Sequence, residues 1–152
     1  MNLTTHFRLS EFLFSQEATR KGIAEQFEPS PQIVQNLNAL CVNILEPLRI
    51  NLNVPIRITS GYRCARLNRA IGGAAKSQHL VGEAADIEAD GVTNKEVLDR
   101  IIALQLPYDQ LISEFPDEQG NPKWVHVSFS ARNRRQVLVA YRDAGKVRYR
   151  PI

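Results

Sequence analysis

The feature that most constrains this chain is the apolar pattern between Gln32 and Ile50. Ile33, Val34, Leu37, Leu40, Cys41, Ile44, Leu45 and Leu48 recur at three- and four-residue steps, the period of one helix face. A helix of about five turns with such a stripe must pack on a second layer. Ser30 is placed to cap it, and Pro31 suits its first position. Asn51-Leu52-Asn53 ends it. The next segment, Val54-Pro55-Ile56-Arg57-Ile58-Thr59, reads as a strand, with Pro55 near its start where a missing N–H is tolerated. Further strands are expected at 84–88, 109–115, 124–129 and 135–141. The second and third of these form a hairpin across a long polar loop, and the tail from Lys146 has room for an edge strand. Short helices are expected at Leu9–Leu13 with Ser10 as N-cap and at Cys64–Ile71, stopped by Gly72-Gly73. Another runs from the Thr93 cap to about Leu104, with Glu96 completing a capping box. The expected class is α+β, with N-terminal helices packed on a small, mostly antiparallel sheet that carries one inserted helix.

Length and composition suit one domain over residues 1–152, since 152 residues at 43% hydrophobic and 23% charged can bury a real core. The net charge of +3 is mild. Its basic residues gather late, from Arg132 to Arg150, as a solvated face that would also suit an anionic surface. Cys41 and Cys64 have no CxxC spacing and read as reduced thiols of a chain made in the cytoplasm. Met1 to Ser10 shows no signal-peptide pattern, and no apolar run reaches the length of a bilayer span. Membrane insertion is therefore not expected. His6, close to the terminus, reads as a surface or structural residue.

The chemistry concentrates in Ser77-Gln78-His79-Leu80-Val81-Gly82-Glu83-Ala84-Ala85-Asp86-Ile87 and in Lys123-Trp124-Val125-His126-Val127-Ser128. His79, Asp86 and His126 supply two imidazoles and a carboxylate, a usual ligand set for a catalytic zinc that keeps one position open. The spacing differs from the helical motif in which two histidines lie four apart. Here a turn and two strands would carry the ligands. Asp86 sits in an otherwise apolar strand, where a bare carboxylate is costly to bury; a metal would be its partner. His126 shares one strand face with Trp124 and Ser128, while Val125 and Val127 face the core.

These stretches, together with Ser60-Gly61-Tyr62-Arg63, resemble the zinc D-Ala-D-Ala carboxypeptidases and equally the phage L-Ala-D-Glu and related peptidoglycan endopeptidases. The wider group includes the vancomycin-resistance dipeptidases and the hedgehog signalling domain. The likeness extends from about Leu9 to about Phe129 and is closest to the compact members of the carboxypeptidase-like branch. It implies one Zn²⁺ per chain, held by His79, Asp86 and His126. It also implies Arg63 as a catalytic and substrate-binding residue, for an oxyanion or a substrate carboxylate. Ser77 and Gln78 match positions that line the cleft, and Ser77 either contacts substrate or caps its turn. Gly82 would supply an unusual backbone angle between two ligands.

One departure stands out. Many relatives carry an acidic general base three residues before the last histidine, and here that position is Lys123. Glu114, at the end of the preceding strand, is the replacement, since a hairpin brings it beside His126. Asp117 and Glu118 are reserves on the adjoining loop, and Asp109 is a candidate partner for a ligand histidine. The implied activity is hydrolysis of a peptide bond in peptidoglycan stem or cross-link peptides, as carboxypeptidase or endopeptidase. The alternative is a zinc-stabilised module that binds wall peptides without cutting them, which Lys123 favours. Peptidoglycan peptide is the expected partner, with no nucleic acid, and a monomer is the expected state. Action at the cell wall would follow release from the cytoplasm, for instance by a phage-type route.

Overall fold

The computed structural model describes residues 1–152 and has the α+β architecture. Short helices α1 (Leu9–Leu13) and α2 (Gln16–Lys21) open the chain, followed by a 3-10 turn at Ala24–Phe27. The apolar stripe forms one continuous helical rod in three parts: α3 (Pro31–Leu40), a π-helical turn (Cys41–Leu45) and α4 (Glu46–Leu52). The wide turn lies just before Pro47, whose ring would meet the carbonyl four residues back in a regular helix. Then come β1 (Ile56–Ser60), α5 (Ala65–Ala70), a 3-10 turn (Gln78–Val81), β2 (Ala84–Ala89), α6 (Asn94–Ala103), β3 (Gln110–Glu114), β4 (Trp124–Ser128), β5 (Gln136–Asp143) and β6 (Lys146–Pro151). No helix is long and apolar enough to cross a membrane.

Most of the expected helix boundaries hold. Ser30 Oγ accepts from Ile33 N–H with Pro31 at the first position, Thr93 caps α6, and Asn53 closes α4 with a left-handed φ of 54°. Ser10 does not cap α1. The helix spans Leu9–Leu13 as expected, but its cap position is Arg8, and Glu11 reaches back to the Arg8 N–H at 2.7 Å. Two helices are inserted among the strands rather than one, because β1 precedes α5.

The six strands form one sheet in the order β1-β2-β4-β3-β5-β6. All neighbours are antiparallel except β3 and β5, which run parallel. Register divides the sheet into two faces. Ala85, Ile87, Leu111, Val125 and Val127 point to one side and join Leu37, Leu40, Ile44, Leu45 and Leu48 of the rod in the core. The opposite face carries Asp86 opposite His126, then Ile112 opposite His126, and Glu114 opposite Trp124. One face is thus covered by helices and the other is left to build a site, the usual economy of an antiparallel sheet.

A buried amide locks the N-terminal helices to this sheet. Gln26 is fully buried; its Nε2 donates to the carbonyls of Leu13 and Tyr62 at 3.0 and 2.8 Å, and its Oε1 accepts from Cys64 N–H at 2.8 Å. These bonds hold the turn after β1, which carries Arg63. Both cysteines are buried and free, as reduced thiols should be, and burial pushes the Cys41 thiol far above its ordinary range.

Candidate metal centre and cleft

Three elements converge on the open face. His79 sits on the 3-10 turn capped by Ser77, whose Oγ accepts from His79 N–H at 3.2 Å. Asp86 and His126 are direct cross-strand partners on β2 and β4. Gly82 closes the turn at φ +73°, and a Cβ there would come within 2.9 Å of the Ile33 carbonyl oxygen. Only glycine fits both the angle and the approach.

The three candidate ligand atoms all lie within 4.8 Å of one another. His79 Nε2 is 3.4 Å from Asp86 Oδ1, and His126 Nδ1 is 3.2 Å from the same oxygen. Zinc bonds of about 2.0–2.2 Å in a tetrahedron set donors about 3.4 Å apart, so the spacing fits. The hydrogen bonding agrees. His79 Nδ1 lies 2.7 Å from the Gly61 carbonyl, and a carbonyl only accepts, so the proton belongs on Nδ1. Nε2 would then turn a lone pair toward a carboxylate oxygen if the ring is neutral, a repulsive pairing that either a second ring proton or a cation between them reverses. Burial opposes ionisation of Asp86, but hydrogen bonds and charge from His126 and His79 outweigh it and hold its carboxyl below the usual range.

Glu114 is the diagonal neighbour of His126 across the hairpin and lines the same cavity, of about 720 Å³. It is only 8% exposed. Burial pushes its carboxyl up to about 7; His126 opposes this and the negative Asp86 adds to it. A carboxyl poised near neutrality can both take and give a proton. Lys123 is exposed and outside the cavity, and Asp117 and Glu118 are exposed on the loop, where Asp117 caps local N–H groups.

Arg63, Ser77 and Gln78 also line the cavity. Arg63 is half-buried, donates to Ser77 Oγ at 3.2 Å, and makes no ion pair; its Nε is buried without a partner. Burial lowers its pKa and the charge of Asp86 opposes that. Gln78 Oε1 is likewise an unpaired buried acceptor. Two orphaned polar groups in one wall are what a polar ligand would satisfy.

Asp109 is not a partner of either histidine. It is fully buried and receives Arg134 through Nε and Nη2 at 3.0 and 2.9 Å, plus Ser130 Oγ and Gln78 Nε2. Burial would raise its carboxyl, but these donors hold it below the ordinary range. The pair braces Gln78 and the segment leading to β5. Sequence reasoning also missed Phe115, Arg142 and Tyr149, which line the cavity; the strand alternation of 136–151 was the only trace of the last two, and Phe115, at φ +51° after β3, had none.

Comparison with protein-family descriptions matches residues 5–128 to Peptidase M15. Comparison with curated proteins finds no match.

Proposed function

The chain belongs to the peptidase M15 family, the zinc metallopeptidases of the peptidoglycan-acting kind, and from that premise we propose that it hydrolyses a peptide bond in peptidoglycan stem or cross-link peptides. His79, Asp86 and His126 would hold one zinc ion. Bound there, zinc supplies a water of lowered pKa and polarises the scissile carbonyl. Glu114 accepts the proton of the attacking water and returns it to the leaving amine nitrogen. Arg63, short of an acceptor at Nε, takes the carbonyl oxygen or a substrate carboxylate. Ser77 holds the Arg63 guanidinium, and Gln78 Oε1 offers an acceptor to a substrate N–H. Residues 1–152 act as one unit, since one sheet runs from β1 to β6.

The observation that carries this reading is the buried Glu114 carboxyl, poised at about 7 beside a His-Asp-His set within 4.8 Å. A module that only binds wall peptides has no need of that carboxyl. The test is to incubate the protein with peptidoglycan sacculi, with and without a zinc chelator, and identify new termini by mass spectrometry. Chelator-sensitive release of peptide ends is expected, and the termini name the bond. Release unaffected by chelator overturns the zinc mechanism. No release from several wall chemotypes by zinc-loaded protein overturns the peptidase reading.

A further inference from the structure

The β5–β6 hairpin follows the residues matched to the family, so membership says nothing of what it does. Register makes it a wall of the cleft. Glu114 pairs with Ala140, and Ala140 with Tyr149. Cross-strand partners share a face, so Tyr149 stands on the Glu114 face with only the Ala140 methyl between them. Tyr149 lines the cavity. A phenol is protonated at neutral pH, hence a donor, and the partial desolvation of this half-exposed ring together with the charges of Glu114 and Asp86 only raises its pKa further.

Phe115 is the second observation. Strand alternation would send the residue after Glu114 to the helix-covered face. Instead Phe115 adopts φ +51° and lines the cavity. There it packs edge-on to Trp124 at 5.6 Å, with the Arg142 guanidinium 5.0 Å over it. A bulky aromatic in this region is strained, a cost typically retained where function needs the placement. The third observation is Arg142 itself. It makes no ion pair, although the adjacent Asp143 is bonded to Arg148 at 3.0 Å. A charged fork is thus held at the cleft by a ring and left without a carboxylate.

The dimensions agree. From β2 to β6 the site face spans four strand spacings, about 19 Å, whereas a terminal dipeptide extends about 7 Å. Arg63 follows β1 and Arg142 lies on β5, with β2, β4 and β3 between them.

We propose that the β5–β6 hairpin is a substrate-binding wall, in which Tyr149 hydrogen-bonds the peptide backbone near the scissile bond and Arg142 holds a substrate carboxylate on the side away from Arg63. This rests on the peptidase reading and narrows its substrate to an acidic stem peptide longer than a dipeptide. The test uses zinc-loaded Glu114→Gln protein and soluble muropeptides whose stem carboxylates are either free or amidated. Binding is followed by fluorescence of Trp124, the single tryptophan, which lies in the cleft. Arg142→Ala should weaken binding of the free-carboxylate form about tenfold or more and leave the amidated form within about twofold. Tyr149→Phe should weaken both forms by about threefold to tenfold, and Arg148→Ala, outside the cleft, neither. Thermal midpoints report folding; all three side chains are exposed, so little change is expected. Unchanged binding in Arg142→Ala and Tyr149→Phe, or equal losses for both muropeptides in Arg142→Ala, overturns the proposal. Because binding is read in a protein that does not turn over, failure of wild type to cut sacculi would refute the peptidase reading separately.

Discussion

Glu114→Gln separates the roles of the site most cleanly. The side chains are isosteric, and Glu114 is not among the three groups that could hold a metal, so zinc content should stay at one per chain. Loss of the proton carrier should lower kcat about 10²- to 10⁴-fold. Stability of the zinc-free protein should move the other way. Glu114 is held at about 7 against an ordinary 4.5, which disfavours its ionised form by roughly 3 kcal/mol at most. Since the folded pKa is raised, the folded state binds the proton more tightly. That contribution is complete below pH 4.5 and is lost as pH rises through about 7. Glutamine has no proton to lose. Zinc-free wild type and variant should therefore be about equally stable at pH 4.5, whereas at pH 8 the variant should be more stable by roughly 1–3 kcal/mol. Urea denaturation at the two pH values measures the difference. A variant less stable than wild type at pH 8 would refute the burial argument, and hydrolysis within about tenfold of wild type would refute Glu114 as the base.

Gln26→Leu leaves two carbonyls and one N–H buried without partners and should cost about 3–5 kcal/mol in urea denaturation; a loss below about 1 kcal/mol would mean the turn after β1 is held otherwise. Gly82→Ala and Gly72→Ala share a φ of +73°, but only the first meets a neighbour, the Ile33 oxygen at 2.9 Å. The Gly72 variant should lose about 1 kcal/mol, while the Gly82 variant loses more and also binds zinc more weakly in a chelator competition; equal losses would discount the contact with α3. Asp109→Asn removes the carboxylate that a partly exposed Arg134 binds and should destabilise by about 1–3 kcal/mol near neutrality. Because the Asp109 carboxyl is held below its ordinary 3.8, the wild-type advantage should persist above about pH 4 and shrink as pH falls below it; a constant difference down to pH 2 would contradict that assignment.

Much of the architecture was readable because its signals are local. The stripe from Ile33 to Leu48 announces a helix with one apolar face, and the caps Ser30 and Thr93 mark their helix starts within one turn. The alternation Trp124-Val125-His126-Val127 tells which residues share a face. The bounds of α1 were legible but its cap was not: the position before the first helical residue is Arg8, and the Glu11 carboxylate, one turn on, accepts from its N–H. The order β1-β2-β4-β3-β5-β6 and the parallel pairing of β3 with β5 have no local signal, since both depend on contacts between distant segments.

The candidate site divides along the same line. By itself the sequence determined which residues could ligate a metal, because His79, Asp86 and His126 carry the required atoms in a recognisable order. Their approach to within 4.8 Å was decided by the tertiary structure, through the pairing of β2 with β4 and the turn that Gly82 permits. Tertiary structure also decided the chemistry of Glu114. A carboxylate is an ordinary acid in sequence, and only burial on the hairpin raises it to about 7. Asp109, an equally plain aspartate, is driven the opposite way by Arg134. Residue type specifies which proton or metal a group can hold; the dielectric and the neighbouring charges, which exist only in the folded chain, specify how tightly it is held.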